Sequence, residues 1–306
     1  MTTPNDPLTS RADFGICVPN YRPGASPLAM IAAAETAERL GWGSLWTTDH
    51  LLVDHSERAA EYAHIYEALS VLAWLGGQTT SVRLGISVLV VPMRNAVVLA
   101  KELATIDALT NGRLIVGVGI GWNEIEFGNV GAGDVFRQRG AFLEESVAMW
   151  RHLWGGNDGP FEGRFYSFSD ARFSPLPVQG ADLPIWIGAH ADKAIERVGR
   201  IAEGYQSTFA EPDDMARRAE IVRRSAAAAG RPMPTIASRV RARVSAADQG
   251  GRILGGESSD MAALLDGYAD AGVSQIALDF AETDADVLVK HMERFDREVI
   301  SARADA

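Results

Sequence analysis

The chain has 306 residues, 47% of them hydrophobic, and its 40 acidic against 29 basic side chains leave a formal charge of −11. That balance argues against a nucleic-acid partner, which would need a basic face to neutralise phosphates. The length suits one α/β barrel of about 250 residues carrying an insertion better than two independent domains, so a single domain over 1–306 is expected.

The single cysteine, Cys17, sits in the apolar run Phe14-Gly15-Ile16-Cys17-Val18. It excludes an intrachain disulfide and a multi-cysteine metal site, and it reads as a small core hydrophobe. No His/Asp/Glu set has metal-ligand spacing, so no metal is expected. The polar start, Met1 to Arg11, lacks the apolar segment of a signal peptide. No run approaches a membrane span, and a cytoplasmic protein is expected.

Strand and helix patterns alternate from one end of the chain to the other. Strand Phe14–Pro19 leads to helix Pro27–Leu40, Ser44–Thr48 to Tyr66–Thr79, Val82–Val91 to Ala96–Leu109, and Leu114–Gly119 to Arg139–Trp154. The second half continues with Ile185–Gly188 and Lys193–Ala202, Gly204–Ser207 and Pro212–Ala229, Thr235–Val244 and Asp260–Ala271, then Gln275–Phe280 and Asp284–Val299. Eight such rounds predict a closed (β/α)8 TIM barrel. An open doubly wound sheet is the alternative. It is weakened because the glycine run Gly117-Val118-Gly119-Ile120-Gly121 follows the fourth strand rather than the first.

The stretch from Val82 to Trp122 shows the pattern most clearly. Val82 to Val91 is almost continuously apolar, as in a strand covered on both faces. Val97, Val98, Ala100, Leu103, Ala104, Ile106 and Leu109 recur at helical spacing, and Asn111-Gly112 tolerates the left-handed backbone that ends a helix. Gly117 and Gly119 lack side chains that would keep a planar ligand from the backbone. One long interruption, Gly155 to Leu183, is rich in glycine, proline and aromatics, and is read as an insertion over the barrel rim between the fourth helix and fifth strand.

Several runs together resemble the bacterial luciferase-like monooxygenase family. They are Leu40-Gly41-Trp42-Gly43-Ser44-Leu45-Trp46-Thr47-Thr48-Asp49-His50, Pro92-Met93-Arg94-Asn95 with Ala100-Lys101-Glu102-Leu103-Ala104-Thr105, and Asn111-Gly112-Arg113-Leu114 with Gly117 to Trp122. Phe161-Glu162-Gly163-Arg164-Phe165-Tyr166 and Leu183-Pro184-Ile185-Trp186-Ile187-Gly188-Ala189 extend the likeness to about residues 14–205. The resemblance implies a (β/α)8 barrel that binds coenzyme F420 or FMN at the C-terminal ends of its strands. The run Gly117 to Glu124 is most similar to a subgroup described as F420-dependent, so F420 is favoured. With it the expected chemistry is hydride transfer to or from a small organic substrate. With FMN it would be monooxygenation through a peroxyflavin. A non-catalytic flavin-binding barrel is the reading of another class.

The resemblance also distributes roles. Asp49 and His50, at the end of the second strand, become the catalytic candidates, since an imidazole titrates near neutrality and can give or take a proton. Ser87-Val88 stands where similar proteins carry a cis peptide against one face of the ring, and Gly119 borders it. Gly188-Ala189-His190 precedes a helix whose free amides and dipole offer a place for a phosphate. Gly250-Gly251-Arg252 with Gly255-Gly256 is a second phosphate candidate. Trp46 and Trp122 supply large apolar walls, which favours an apolar substrate. Arg239, Arg241 and Arg243 alternate along the seventh strand and must meet carboxylates, an anion or water. A homodimer through the helices Tyr66–Thr79 and Ala96–Leu109 is expected.

Overall fold

The computed structural model describes residues 8, 10–244 and 253–304. Its strands are β1 (Phe14–Cys17), β2 (Ser44–Thr47), β3 (Arg83–Ile86), β4 (Leu89–Val90), β5 (Leu114–Gly119), β6 (Phe161–Glu162), β7 (Ser167–Phe168), β8 (Ile185–Gly188), β9 (Gly204–Thr208), β10 (Thr235–Val244), β11 (Ile253–Gly256) and β12 (Gln275–Asp279). Helices are α1 (Pro27–Leu40), α2 (Ala68–Gln78), α3 (Ala96–Leu109), α4 (Glu124–Asn129), α5 (Arg139–Trp154), α6 (Asp192–Ile201), α7 (Pro212–Ala228), α8 (Ser258–Asp270), α9 (Ala285–Phe295) and α10 (Ala302–Ala304). Strands β1, β2, β3, β5, β8, β9, β10 and β12 pair in that order, all parallel, and β12 returns to β1. The sheet therefore closes into the (β/α)8 barrel, and the open sheet is excluded. No described helix is long and apolar enough to cross a membrane.

Local chemistry sets the helix boundaries. Ser26 accepts from the Ala29 amide at 3.2 Å to start α1. Asn95 accepts from Val97 and Val98 to start α3, satisfying two amides that the first turn leaves without carbonyl partners. Asn111 and Gly112 end α3 with φ of 54° and 77°, the left-handed conformation that the Asn-Gly pair suits. Trp150 and Trp154, one turn apart on α5, donate their indole N–H groups to the Ala96 and Ala100 carbonyls of α3 at 2.7 and 3.0 Å.

The run Val82–Val91 is not one strand. Gly85 pairs with Ile115 and Leu89 with Val118, so one strand spends one residue more than its partner between the two contacts. That is a bulge, and it falls at Ser87-Val88, whose peptide bond is cis. The segment Gly155 to Leu183 holds the antiparallel hairpin β6–β7, outside the barrel sheet. It packs on α5, whose Glu145 carboxylate accepts the amides of Arg164, Phe165 and Tyr166 at 2.7–2.8 Å, and the Tyr166 hydroxyl accepts from Ala96 at 3.0 Å.

Inside the barrel, Cys17, Trp46, Ile115, Trp186, Ala237 and Ala277 form an apolar plug. The two indoles lie 5.3 Å apart, and glycines make room for them. A Cβ at Gly85 would stand 2.3 Å from the Trp46 ring, and one at Gly204 would stand 2.4 Å from that of Trp186. Trp46, expected to wall the cofactor, is instead buried in this plug with its Nε1 donating to Ser44 Oγ at 2.9 Å. The reason is its inward position on β2 one pleat below the rim.

Two glycine substitutions should therefore differ in sign. Gly85→Ala should destabilise by about 1–3 kcal/mol through overpacking. Gly77→Ala on α2, where a new Cβ meets nothing within 4 Å, should stabilise by about 0.5 kcal/mol by lowering backbone entropy. Urea denaturation of the two variants checks both.

Candidate active site

The C-terminal ends of the strands gather the functional side chains. Thr48, Asp49 and His50 leave β2 at this rim, held by Asn20, which donates to the Thr48 carbonyl at 2.8 Å and accepts from its amide at 3.0 Å. The two catalytic candidates then part company. Asp49 takes both terminal nitrogens of Arg94 at 2.7 and 2.8 Å and the Val90 amide at 2.8 Å. Its side chain is fully buried, and both its oxygens are committed to fixing the segment after the bulge. Asp49 is thus a positioning residue, which corrects its expected catalytic role.

His50 pairs with a residue that sequence reasoning passed over. Its Nδ1 lies 2.8 Å from Glu126 Oε2, and Glu126 Oε1 accepts the Leu51 amide at 2.6 Å. Glu126 is buried on α4, a short helix capped by Asn123, whose Oδ1 accepts the Glu126 amide. Burial opposes the charge on Glu126, but the hydrogen bonds from His50 and Leu51 outweigh it and hold the carboxyl below its usual range. An ionised Glu126 makes Nδ1 the donor, so the lone pair of neutral His50 resides on Nε2. Around the imidazole lie Tyr62, with ring centroids 4.1 Å apart, and Trp122, edge-on at 5.9 Å.

Also at the strand ends, the Val88 methyl groups lie over two glycines. A Cβ at Gly119 would fall 2.5 Å from Val88 Cγ2, and one at Gly188 would fall 2.7 Å from Cγ1. The expected Gly119 and Gly188 thus share a shelf with Val88, and a side chain at Gly188 would act through Val88 rather than through any phosphate amide. Ser87 Oγ and both amide atoms of Gln206 are buried without a hydrogen-bond partner. Gln206 has the same inward orientation along β9 as Gly204, whose missing Cβ faces Trp186. Orphaned groups of this kind call for a ligand or water.

Above the plug, Arg239 is buried and reaches Tyr21 Oη at 2.5 Å, Asp279 Oδ2 at 2.9 Å, Thr48 Oγ1 at 3.0 Å and the Ser87 carbonyl at 3.3 Å. Arg22 donates to both Asp279 oxygens at 3.1 Å. Arg241 stands 3.5 Å from Asp279, while Arg243 is exposed. Burial opposes the Asp279 charge, but Arg239, Arg22 and Arg241 overcome it and hold the carboxyl far below its usual range. Burial first, and then the Asp279 charge, push the thiol of Cys17 beneath up to about 12 despite Arg239.

The proposed phosphate turn, Gly188-Ala189-His190, precedes α6, whose N-cap Ala191 offers no side chain to its amides. His190 is exposed, and its Nδ1 lies 3.4 Å from Arg218 Nη1. Although the residue as a whole is exposed, partial desolvation of the ring by its neighbours and then the Arg218 charge keep that imidazole below its ordinary range. Arg218 also binds Ser207 Oγ at 2.8 Å and Asp214 at 2.5 Å, and the Tyr205 hydroxyl closes on the Ala189 carbonyl at 2.8 Å. A cavity of about 590 Å³ opens here, lined by His190, Phe209, Asp213 and Arg218. Of the second phosphate candidate, residues 250–252 lie outside the described residues. Trp122 lies at the rim under the Arg58 guanidinium, 4.0 Å from its ring.

Comparison with known proteins places these features in a family. The luciferase-like monooxygenase family matches residues 13–252. The phthiodiolone/phenolphthiodiolone dimycocerosates ketoreductase of Mycobacterium kansasii is 33% identical over 248 residues, 75% of this chain and 66% of that protein. The F420-dependent glucose-6-phosphate dehydrogenase of Mycolicibacterium gilvum is 32% identical over 211 residues, 67% of this chain and 61% of that protein. In both, the match spans less than two thirds of the relative's own length. The solved structure of an F420-dependent secondary alcohol dehydrogenase in complex with an F420-acetone adduct superposes with a TM-score of 0.81 at 16% identity, covering 96% of this chain and 99% of that one. The chain belongs to the luciferase-like monooxygenase family.

Two tests follow from the buried charges. Asp279→Asn leaves guanidiniums uncompensated in the barrel and should cost about 3–5 kcal/mol in denaturant unfolding. Cys17 should resist a thiol reagent at pH 8 in the native protein and react at once in guanidinium chloride, because only the thiolate attacks.

Proposed function

We propose that this chain is an oxidoreductase that binds coenzyme F420 and moves hydride to or from a small organic substrate, with His50 handling the accompanying proton. The observation that carries this reading is the His50–Glu126 pair at the barrel rim, together with the Val88 shelf and the orphaned polar groups of Ser87 and Gln206. Family membership and the F420-dependent relative support it. The groups present suit a flavin-type ring: an apolar shelf for one face, and unpaired donors and acceptors for its polar edge. Deazaflavin, when bound, supplies a ring carbon that exchanges hydride with substrate. Ser87 and Gln206 would bind its polar edge, and the turn Gly188-Ala189-His190 would take the phosphate through amides at the start of α6.

The protein's own chemistry is then proton transfer at His50 Nε2. Neutral imidazole accepts a proton there when substrate is oxidised and returns it when substrate is reduced. Glu126 holds the ring in the competent tautomer and stabilises the imidazolium. Tyr62 and Trp122 flank the ring. FMN with a monooxygenase reaction is the second reading, supported by the same shelf.

The reading includes a single barrel domain, with residues 155–183 as its insertion, acting in the cytoplasm as a homodimer. An apolar groove of about 670 Å³ between α2 and α3, lined by Ala73, Val98, Leu99, Ile106 and Leu109, supports the dimer. Light scattering at micromolar concentration should give twice the chain mass, and a monomer would refute the pairing.

Titration with F420 and with FMN decides the cofactor, the tighter being F420 on this reading. His50→Ala should bind cofactor as before while turnover falls about 10²–10⁴-fold. Glu126→Gln should lower turnover by a smaller factor at unchanged cofactor affinity. Single-turnover hydride transfer that stays at the wild-type rate in His50→Ala would remove the imidazole from the reaction.

A further inference from the structure

We propose that the arginine cluster at the barrel mouth binds a carboxylate group of the substrate, and that Glu61 keeps this site closed until such a group replaces it. The inference rests on the reading of this mouth as the active site and names the substrate class. It begins with a charge imbalance. Arg22, Arg239 and Arg241 converge on one buried carboxylate, Asp279, whose oxygens also accept from the Tyr21 hydroxyl and the Ala281 amide. Asp279 is saturated, so Arg241 remains only 3.5 Å away as its weakest partner, and Arg241 Nε is buried with no partner. Packing three guanidiniums, one buried and two half-buried, against one carboxylate favours another anion nearby.

Glu61 supplies it, but loosely. Its Oε2 lies 3.4 Å from Arg22 Nε and 3.9 Å from Arg241 Nη2, beyond the usual range for hydrogen bonds of this kind. The Glu61 side chain is 39% exposed and that of Arg241 is 24% exposed, against 3% for Asp279. A pair held by charge at such exposure is weak. A ligand carboxylate reaching Arg241 and Arg22 directly would replace a loose contact by charge-assisted hydrogen bonds while keeping the local charge unchanged.

Glu61 is also mounted on a cover. It belongs to the single turn Ala60–Tyr62 between β2 and α2, and the next residue, Tyr62, stacks on Tyr21 at 5.5 Å and lies tilted against His50 at 4.1 Å. From the same connection, Arg58 lies over Trp122. Withdrawing Glu61 from the arginines would therefore move Tyr62 off His50, coupling recognition of the anion to access to the imidazole.

The backbone points to the same place. Arg22, Phe209 and Ala281, with φ of 83°, 53° and 53°, are three of the four non-glycine residues in the left-handed region among the described residues. All three border the cluster: Arg22 and Ala281 bind Asp279, and the Phe209 ring lies 5.0 Å from the Arg241 guanidinium. Such conformations persist where the surroundings over-determine them, and they concentrate at ligand sites.

Benzoate and benzamide, equal in shape and different in charge, are the probes, titrated into the full chain without cofactor. Benzoate should bind about tenfold or more tighter than benzamide, the scale of a charged hydrogen bond. Arg241→Gln should abolish that preference, and Glu61→Gln should tighten benzoate severalfold by removing its competitor. Equal affinity for the two probes, or benzoate affinity unchanged or weakened in Glu61→Gln, would overturn the proposal. Glu61→Gln alters a half-exposed turn, so it tests the site even if Arg241→Gln does not fold. Cofactor titration reports separately. A chain that prefers benzoate yet binds neither F420 nor FMN would refute the oxidoreductase reading and leave the carboxylate site intact.

Discussion

One guanidinium ties the mouth of this barrel together. Arg239, on β10, bonds the Tyr21 hydroxyl just beyond β1, the Thr48 hydroxyl beyond β2, the Ser87 carbonyl at the end of β3, and Asp279 at the end of β12. The ends of four strands, separated by up to 258 residues in sequence, meet at a single ion carried by a fifth. The desolvation cost of burying it is offset by Asp279, held charged beside it, and by the hydroxyls and carbonyl that its two terminal nitrogens reach, while Nε stays buried without a partner. The position of the bulge at Ser87-Val88, and with it the shelf that Val88 makes over Gly119 and Gly188, depends on this closure.

Below that layer the barrel is apolar, and above it polar. The plug of Trp46 and Trp186 fills the lower interior so fully that four inward positions nearby are glycine: Gly15, Gly85, Gly117 and Gly204. Dispersion and exclusion of water make the floor rigid. Rigidity there lets the upper layer carry groups that a soft core would not tolerate unpaired, such as Gln206 and Ser87. Stability and chemistry are thus stacked along one axis, and the boundary between them runs between Cys17 and Arg239.

The rim divides labour in the same way. Adjacent residues just beyond β2, Asp49 and His50, point to different partners. Asp49 meets Arg94 and holds the segment after the bulge, while His50 meets Glu126 on α4 through one ring nitrogen. The turn bearing Glu61 and Tyr62 then lies across both the imidazole and the arginines. On the proposed reading, binding, orientation and proton transfer share one small volume, yet each rests on a different element.

The sequence by itself determined the alternation of strands and helices, the helix ends at Asn111-Gly112 and Pro27, and the barrel class, because periodicity and turn chemistry are local properties that neighbouring residues express without help. It also marked His50, Gly119 and Gly188 as residues at strand ends. Only the tertiary structure decided what those residues meet. Glu126 lies 76 positions from His50, and nothing in its helical spacing distinguishes it from a solvated charge. Trp46 looked like a wall of the rim, and barrel closure turned it into the floor. The run Val82–Val91 looked continuous, since a bulge inside an apolar strand leaves no compositional trace. Arg239 and Arg241 were legible as cations in need of partners. That their partners are Asp279, Tyr21 and Glu61 follows from the circular pairing of β10, β12 and β1, a long-range fact that no local pattern encodes.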